Sequence, residues 1–308
     1  IIPYSTKLVN LFFHHYANHI ASMLTFPNAK INIGLNITAK RNDGYHDLET
    51  VFYPIGIQDI LEIKPLENSD KDWDFQIAGQ QVTERPEDNL VIKVFKDLQK
   101  EFDLPAVDIY LQKKIPTGAG LGGGSSDAAF MMKTLNEIFE LHLSTADMER
   151  RIAAYGADCA FFIKNACSYA TGIGDRLQPI DLSLKGYNIT LVKPSVAIPT
   201  REAYSGITPQ LPSQRILDLI SQPVETWKGQ ITNDFEKHLF ILHPQLAAIK
   251  QTLYDMGALY ASMSGSGSVL YGIFKEKPEC AERVFEDCQV FQHQLGYPIP
   301  DIPTHDKP

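Results

Sequence analysis

A chain of 308 residues with 44% hydrophobic and 21% charged side chains has the balance of a soluble globular protein and enough length for two domains with a substantial core. Its formal net charge of −9 argues against a general nucleic-acid binder or an anionic-membrane binder, since both surfaces repel an acidic protein, so an anionic substrate must meet a local basic cluster. The four cysteines, Cys159, Cys167, Cys280 and Cys288, show no C-x-x-C spacing, which points away from a zinc site or redox pair and toward a reducing, cytoplasmic setting.

In residues 1–22 the apolar part is interrupted by Asn10, His14, His15, Asn18 and His19, so it reads neither as a membrane span nor as a secretory signal. Met23 looks like a natural start, which makes 1–22 a non-native extension or an extra helix. The run Ala29–Thr38 alternates. Ile31, Ile33, Leu35 and Ile37 share one face, and Lys30, Asn32, Gly34 and Asn36 share the other, predicting a strand whose polar face meets solvent or lines a cleft. Asn42-Asp43-Gly44 then predicts a tight turn that returns Tyr45 and His46 toward that strand. Taken singly, Lys30 is a solvated lysine and Tyr45-His46 a surface pair. Residues 57–80 read as strand, charged turn (Glu67 to Asp74) and strand, and Pro86 to Asn89 opens a helix reaching about Phe102.

Asp108 to Lys114 alternates into another strand, Pro116 stops it, and Gly118, Gly120, Gly122, Gly123 and Gly124 follow before a helix read from Asp127 to Phe139. Glycines crowded between a strand and a helix start imply close backbone approach to a partner, and the helix N-terminus favours an anion. This is the pattern of a phosphate cradle. It is not a P-loop, because Ser125 and Ser126 follow Gly124 with no lysine before them. Nor is the context that of a dinucleotide fold, because a second helix (Thr145 to Tyr155) follows where a strand ending in an acid is required. The protein-kinase signatures H-R-D and D-F-G do not occur.

Gly156 ends the second helix, Ala157 and Asp158 occupy a turn, and Phe161 to Ile163 are expected to begin a buried strand. Asp158 alone could equally serve the turn's backbone N–H groups. The first domain is expected to close near Ile180, and the second to open with a strand from Tyr187 to Val192. A loop marked by Pro194, Pro199 and Thr200, a helix from Asn233, and a small-residue turn (Met263 to Ser268) before strand Val269 to Phe274 follow. From Gly296 the tail is too proline-rich for helix or central strand.

Pro116, Gly120, Leu121, Gly122, Ser125, Ser126 and Ala128 fit the pattern P-x-x-x-G-L-G-x-x-S-S-x-A, and the stretch resembles the phosphate loop of the GHMP kinase superfamily. Other segments resemble that superfamily in the same order: P-x-A-K-I-N ending at Asn32, R-x-D-G-Y-H-x-L from Arg41, and the turn at Asp158. In that turn Cys159 and Ala160 replace the family's valine and proline. Residues 168–178, with Asp175 in place of a glutamate, the I-P-T segment ending at Tyr204, and Asn233-Asp234-Phe235-Glu236 complete the likeness. The triple glycine and R-x-D-G-Y-H-x-L resemble the branch whose substrate carries cytidine diphosphate.

The resemblance implies an α+β, two-domain GHMP kinase fold. A ribosomal-protein-S5-domain-2-like domain would span 23–180, a ferredoxin-like α/β domain 181–295, and a loose tail 296–308. It implies γ-phosphoryl transfer from ATP, with Mg²⁺, to the 2-hydroxyl of a methylerythritol unit in non-mevalonate isoprenoid precursor synthesis. Lys30 and Asp158 would be catalytic, Asp158 taking the proton of the attacking hydroxyl. Pro116, Thr117, Gly118, Ala119, Gly120, Leu121, Gly122, Gly123, Gly124, Ser125 and Ser126 would hold ATP with help from Lys113, and Ser125 or Ser126 would lie near the metal. Asn32, Tyr45, His46, Thr200 and Tyr204 would bind substrate, with Tyr45 and Tyr204 as walls for the cytosine and His46 at its edge. The partner implied is a small molecule, not a nucleic acid or a membrane, and the chain a monomer or homodimer. The alternatives are a mevalonate-type or homoserine-type kinase, or a nucleotide-binding protein without catalysis.

Overall fold

The computed structural model describes residues 22–66, 69–80, 85–296 and 299, so the expectations for residues 1–21 and for most of the tail lie outside the described residues. A short strand β1 (Met23–Thr25) precedes a long antiparallel hairpin, β2 (Asn28–Lys40) and β3 (His46–Gln58), closed by the Asn42–Gly44 turn with Lys40 opposite His46. β4 (Ile60–Pro65), β5 (Trp73–Gly79), helix α1 (Leu90–Phe102) and β6 (Val107–Lys113) follow. Because β5 and β6 run parallel, the chain must cross over between them, and α1, capped by the Asn89 side chain on Val91 N, makes the crossing.

α2 (Gly123–Ile138) starts inside the glycine run, four residues ahead of the predicted start, with Gly122 as its N-cap in the left-handed region. It is buried along nearly its whole length. α3 (Thr145–Ile152) is capped by Ser144, whose hydroxyl accepts from Asp147 N at 3.1 Å. Phe161 to Ile163 do not begin a strand, contrary to the sequence reading: Phe161–Lys164 is one helical turn, α4. Two adjacent aromatics and an isoleucine fit a buried strand and a buried helical turn equally well. Here Asn165 enters the left-handed region directly after Lys164 and ends the turn. β7 (Ser168–Thr171) and β8 (Arg176–Pro179) then pair as a hairpin. The strand orders are β1-β4-β6-β5 in one sheet and β2-β3-β7-β8 in the next.

The remainder comprises β9 (Asn188–Lys193), α5 (Thr200–Ser205), α6 (Ile216–Ile220), α7 (Asp234–Leu242), α8 (Pro244–Asp255), β10 (Tyr260–Met263), β11 (Leu270–Phe274), α9 (Ala281–Val284) and β12 (Gln289–Gln294). Its strand order, β10-β11-β9-β12 with every pair antiparallel, is that of a split βαβ, ferredoxin-like sheet. Among the described residues no helix is long and apolar enough to cross a membrane.

The alternation predicted for β2 is interrupted by a bulge at Gly34, between the pairs Ile33–Val51 and Leu35–Thr50. Its φ is +66°, and a methyl there would lie 2.6 Å from Ile231 Cγ2. The bulge divides the strand's apolar side between two cores: Ile31 and Ile33 pack with Trp227 and Tyr271, while Leu35 and Ile37 pack with Phe235 and Leu253. Neither face of β2 meets solvent before Thr38, so the polar residues Lys30, Asn32 and Asn36 are buried as well.

Candidate active site

Burying a lysine in the middle of a strand is costly unless its charge is met, and Lys30 is met from several sides. Its Nζ lies 3.1 Å from Asp158 Oδ2, donates to Asn32 Oδ1 at 2.6 Å, and sits 4.7 Å above the Phe52 ring. Asn32 is held in turn by its Nδ2 donating to Thr50 Oγ1 at 3.1 Å, and Thr50 donates to Gly34 O at 2.5 Å. The chain of contacts leaves Asn32 one orientation, oxygen toward Lys30. Asp158, on the turn between α3 and α4, keeps 32% of its side chain exposed, against 3% for Lys30.

The glycine loop closes over this pair. A methyl on Gly122 would meet Lys30 Cε at 3.2 Å, and Lys30 N donates to Leu121 O at 3.0 Å. α2 therefore begins directly above the Lys30–Asp158 pair, and no side chain caps its first N–H groups. An anion at that terminus meets free N–H groups and the positive end of the helix dipole. Thr117, Gly118 and Gly124 are exposed, Ser125 is half-buried, and Pro116, Ala119 and Leu121 anchor the loop from beneath.

The second small-residue turn braces the first. Ser264 Oγ accepts from Asn32 N at 3.2 Å and donates to Gly120 O at 2.8 Å, while Asn233 Nδ2 donates to Met263 O and Gly265 O, both at 2.8 Å. A methyl on Gly120 would fall 1.9 Å from Ser264 O, so the two loops touch through backbone atoms.

The predicted substrate residues separate. His46 stacks on Tyr204, with ring centroids 4.9 Å apart and an interplanar angle of 27°, and Tyr204 packs edge-on against Phe235. Burial raises the Tyr204 pKa, and the charge of Asp158 adds to the shift. Burial, with Lys40 nearby, lowers that of His46. Thr200 is exposed at the first position of α5, one helical turn before Tyr204. Tyr45 is 61% exposed at the hairpin turn, so in this structure His46, not Tyr45, is the ring that meets Tyr204.

Lys113, expected to help hold ATP, is engaged by two carboxylates. Its Nζ is buried beneath the loop, bonded to Asp59 and, at 2.5 Å, to Asp127 Oδ2. The two carboxylates raise its pKa against the opposing effect of burial. Burial dominates at Asp127, whose pKa is pushed up to about 7 despite Lys113.

Thr50, Phe52, Asp59, Asp127 and Ser264 were not among the site residues read from the sequence. A register would have found the first two, since Phe52 pairs with Asn32 across the hairpin and Thr50 with Leu35.

Among the described residues no group of three or more His, Cys, Asp or Glu side chains could hold a metal ion. Mg²⁺ bound chiefly through phosphate oxygens and water needs no such cluster. The oxygen donors Ser125 and Ser126 at the start of α2 fit that demand; the Ser126 hydroxyl is buried without a hydrogen-bond partner.

Residues 89–166 match the N-terminal domain model of the GHMP kinases, and residues 218–288 match the C-terminal one. The chain is 53% identical over 273 residues to a 4-diphosphocytidyl-2-C-methyl-D-erythritol kinase of Bacteroides fragilis, covering 89% of this chain and 100% of the relative. It is 54% identical over 253 residues to one from Bacteroides thetaiotaomicron, covering 82% and 92%. A crystal structure of 4-(cytidine 5′-diphospho)-2C-methyl-D-erythritol kinase superposes with a TM-score of 0.73 at 29% identity, covering 90% of this chain and 100% of that one.

Proposed function

For a chain that belongs to the 4-diphosphocytidyl-2-C-methyl-D-erythritol kinases of the GHMP kinase family, we propose the following division of labour in phosphorylating the substrate's 2-hydroxyl from ATP. The observation that carries it is the Lys30–Asp158 pair lying directly under the glycine-lined start of α2. A hydroxyl is a weak nucleophile, so positioning and electrostatics do most of the work in phosphoryl transfer. The loop from Pro116 to Ser126 and the N-terminus of α2 hold the triphosphate through backbone N–H groups. Asp158, open to the cleft, accepts the proton of the substrate hydroxyl. Lys30, fixed by Asn32 and Phe52, offsets charge on the transferring group. Mg²⁺, when bound near Ser125 or Ser126, supplies neutralisation of the phosphate oxygens. Tyr204 and His46 face the cytosine, and Tyr45, free at the hairpin turn, closes on its other side, while Thr200 and Asn32 complete the substrate site.

The positions of the two family models, one ahead of residue 180 and one after it, support a domain division at 23–180 and 181–295. The four free cysteines are compatible with a cytoplasmic enzyme.

The test is ADP release from Mg-ATP with 4-diphosphocytidyl-2-C-methyl-D-erythritol, run beside mevalonate and homoserine. Turnover with the cytidylyl substrate alone is the expected result. Turnover only with another alcohol, or ATP binding with no turnover on any, sinks this reading.

A further inference from the structure

Beneath the phosphate loop lies a buried charge cluster that the proposed mechanism does not use. Asp59, on the one-residue link between β3 and β4, is fully buried and accepts through Oδ1 from Lys114 N at 2.5 Å and Ile115 N at 2.8 Å, the two N–H groups that lead the chain into the loop. Its Oδ2 holds Lys113 Nζ. The same ammonium reaches Asp127, fourteen residues further along the chain and at the start of the second turn of α2. A methyl on Gly123 would approach Lys113 Nζ to 3.4 Å, so the ammonium lies immediately below the first residue of that helix. One buried lysine thus ties the strand that enters the phosphate loop to the helix that leaves it, and one carboxylate fixes the entry backbone.

We propose that Asp59, Lys113 and Asp127 are positioning residues that clamp both ends of the phosphate loop and so set the spacing at which it receives the triphosphate. None of the three needs to touch ATP. Two carboxylates outnumber the one ammonium, so the cluster as a whole carries no excess positive charge, and a role in attracting phosphate by charge is ill-suited to it. Fixing geometry is well suited to it, because buried charge-assisted bonds are short, directional and costly to break. Loop residues held by such bonds lose little freedom when the ligand arrives.

The proposal rests on the reading of this loop as the ATP site, and the wild type assayed in parallel separates the two. The variants are Asp59→Asn, which keeps the shape and the backbone acceptor but weakens the hold on Lys113, and Asp127→Asn, which leaves the Lys113–Asp59 pair intact and loosens only the tie to α2. Steady-state kinetics with each substrate varied in turn, and melting temperatures with and without ATP, are the measurements. We expect KM for ATP to rise about tenfold or more in Asp59→Asn and at least threefold in Asp127→Asn, with KM for the cytidylyl substrate within twofold of wild type. Should Asp59→Asn fail to fold, Asp127→Asn decides alone. A lower melting temperature with KM for ATP unchanged makes the cluster merely structural and overturns the clamp, as does an equal rise in both KM values. A wild type without ATP-dependent turnover removes the functional reading and the clamp together.

Discussion

Asp158 and Lys30 form an ion pair whose members differ in freedom, and that asymmetry suits their proposed roles. The carboxylate is about one-third exposed and can meet a substrate proton, whereas the ammonium is enclosed and held by Asn32 and the Phe52 ring. Replacing Asp158 by Asn keeps the shape but removes the proton acceptor. The expected outcome is a fall in kcat of about 10²–10⁴-fold, with ATP binding retained when measured by calorimetry. If the two residues act as a unit, Lys30→Met combined with Asp158→Asn costs much less than the sum of the single effects. Additive losses in that cycle, or near-normal turnover in Asp158→Asn, contradict the assignment.

The glycines of the loop that leads into α2 differ in what they are required to do, and the differences yield a graded stability prediction. Gly120 has φ of +74° and no room for a methyl beside Ser264 O; Gly118 has φ of +59° but open space; Gly124 has open space and ordinary helical backbone. Alanine at Gly124 should be neutral or stabilise by up to about 1 kcal/mol, since glycine is a poor helix former. Alanine at Gly118 should cost about 1–2 kcal/mol, the penalty for a side chain in the left-handed region. Alanine at Gly120 should cost more than both, because the two loops must separate to admit it. Urea unfolding of the three variants checks the order, and an equal cost at all three would mean the loops are looser than their contacts imply. This strand, loop and helix were legible in the sequence because glycine spacing and period-two alternation report backbone geometry directly. Less legible were the features that depend on partners far along the chain. The turn at Phe161–Lys164 gave no periodicity to separate strand from helix, and the bulge at Gly34 reassigns the faces of β2. Lys113 has the residue type of a solvated lysine or a ligand contact, and only packing placed Asp59 and Asp127 around it.

At the scale of the whole molecule, the site is assembled from segments distant in sequence, so its geometry depends on how the second half of the chain sits against β2 and β3. Tyr271 OH donates to Asn32 O at 2.8 Å, and Leu35 N donates to Thr232 O at 2.9 Å. A further link joins the two halves: Gly56 N, on β3, donates to His293 Nε2, on β12, at 3.2 Å. A nitrogen that accepts this bond cannot carry a proton, and burial lowers the His293 pKa from 6.5 to about 4. Between those values the unfolded chain binds a proton that the folded chain refuses, so the stability associated with neutral His293 is complete above about pH 6.5 and is lost as pH falls toward 4. Glutamine at this position can still accept from Gly56 N through its amide oxygen but does not titrate. The stability of the wild type relative to His293→Gln should therefore decline by about 1–3 kcal/mol between pH 7 and pH 4. Carboxylates elsewhere titrate in the same range, but they do so in both proteins and cancel in the difference. A difference that stays constant over that range would show that the contact between β3 and β12 does not depend on a neutral His293.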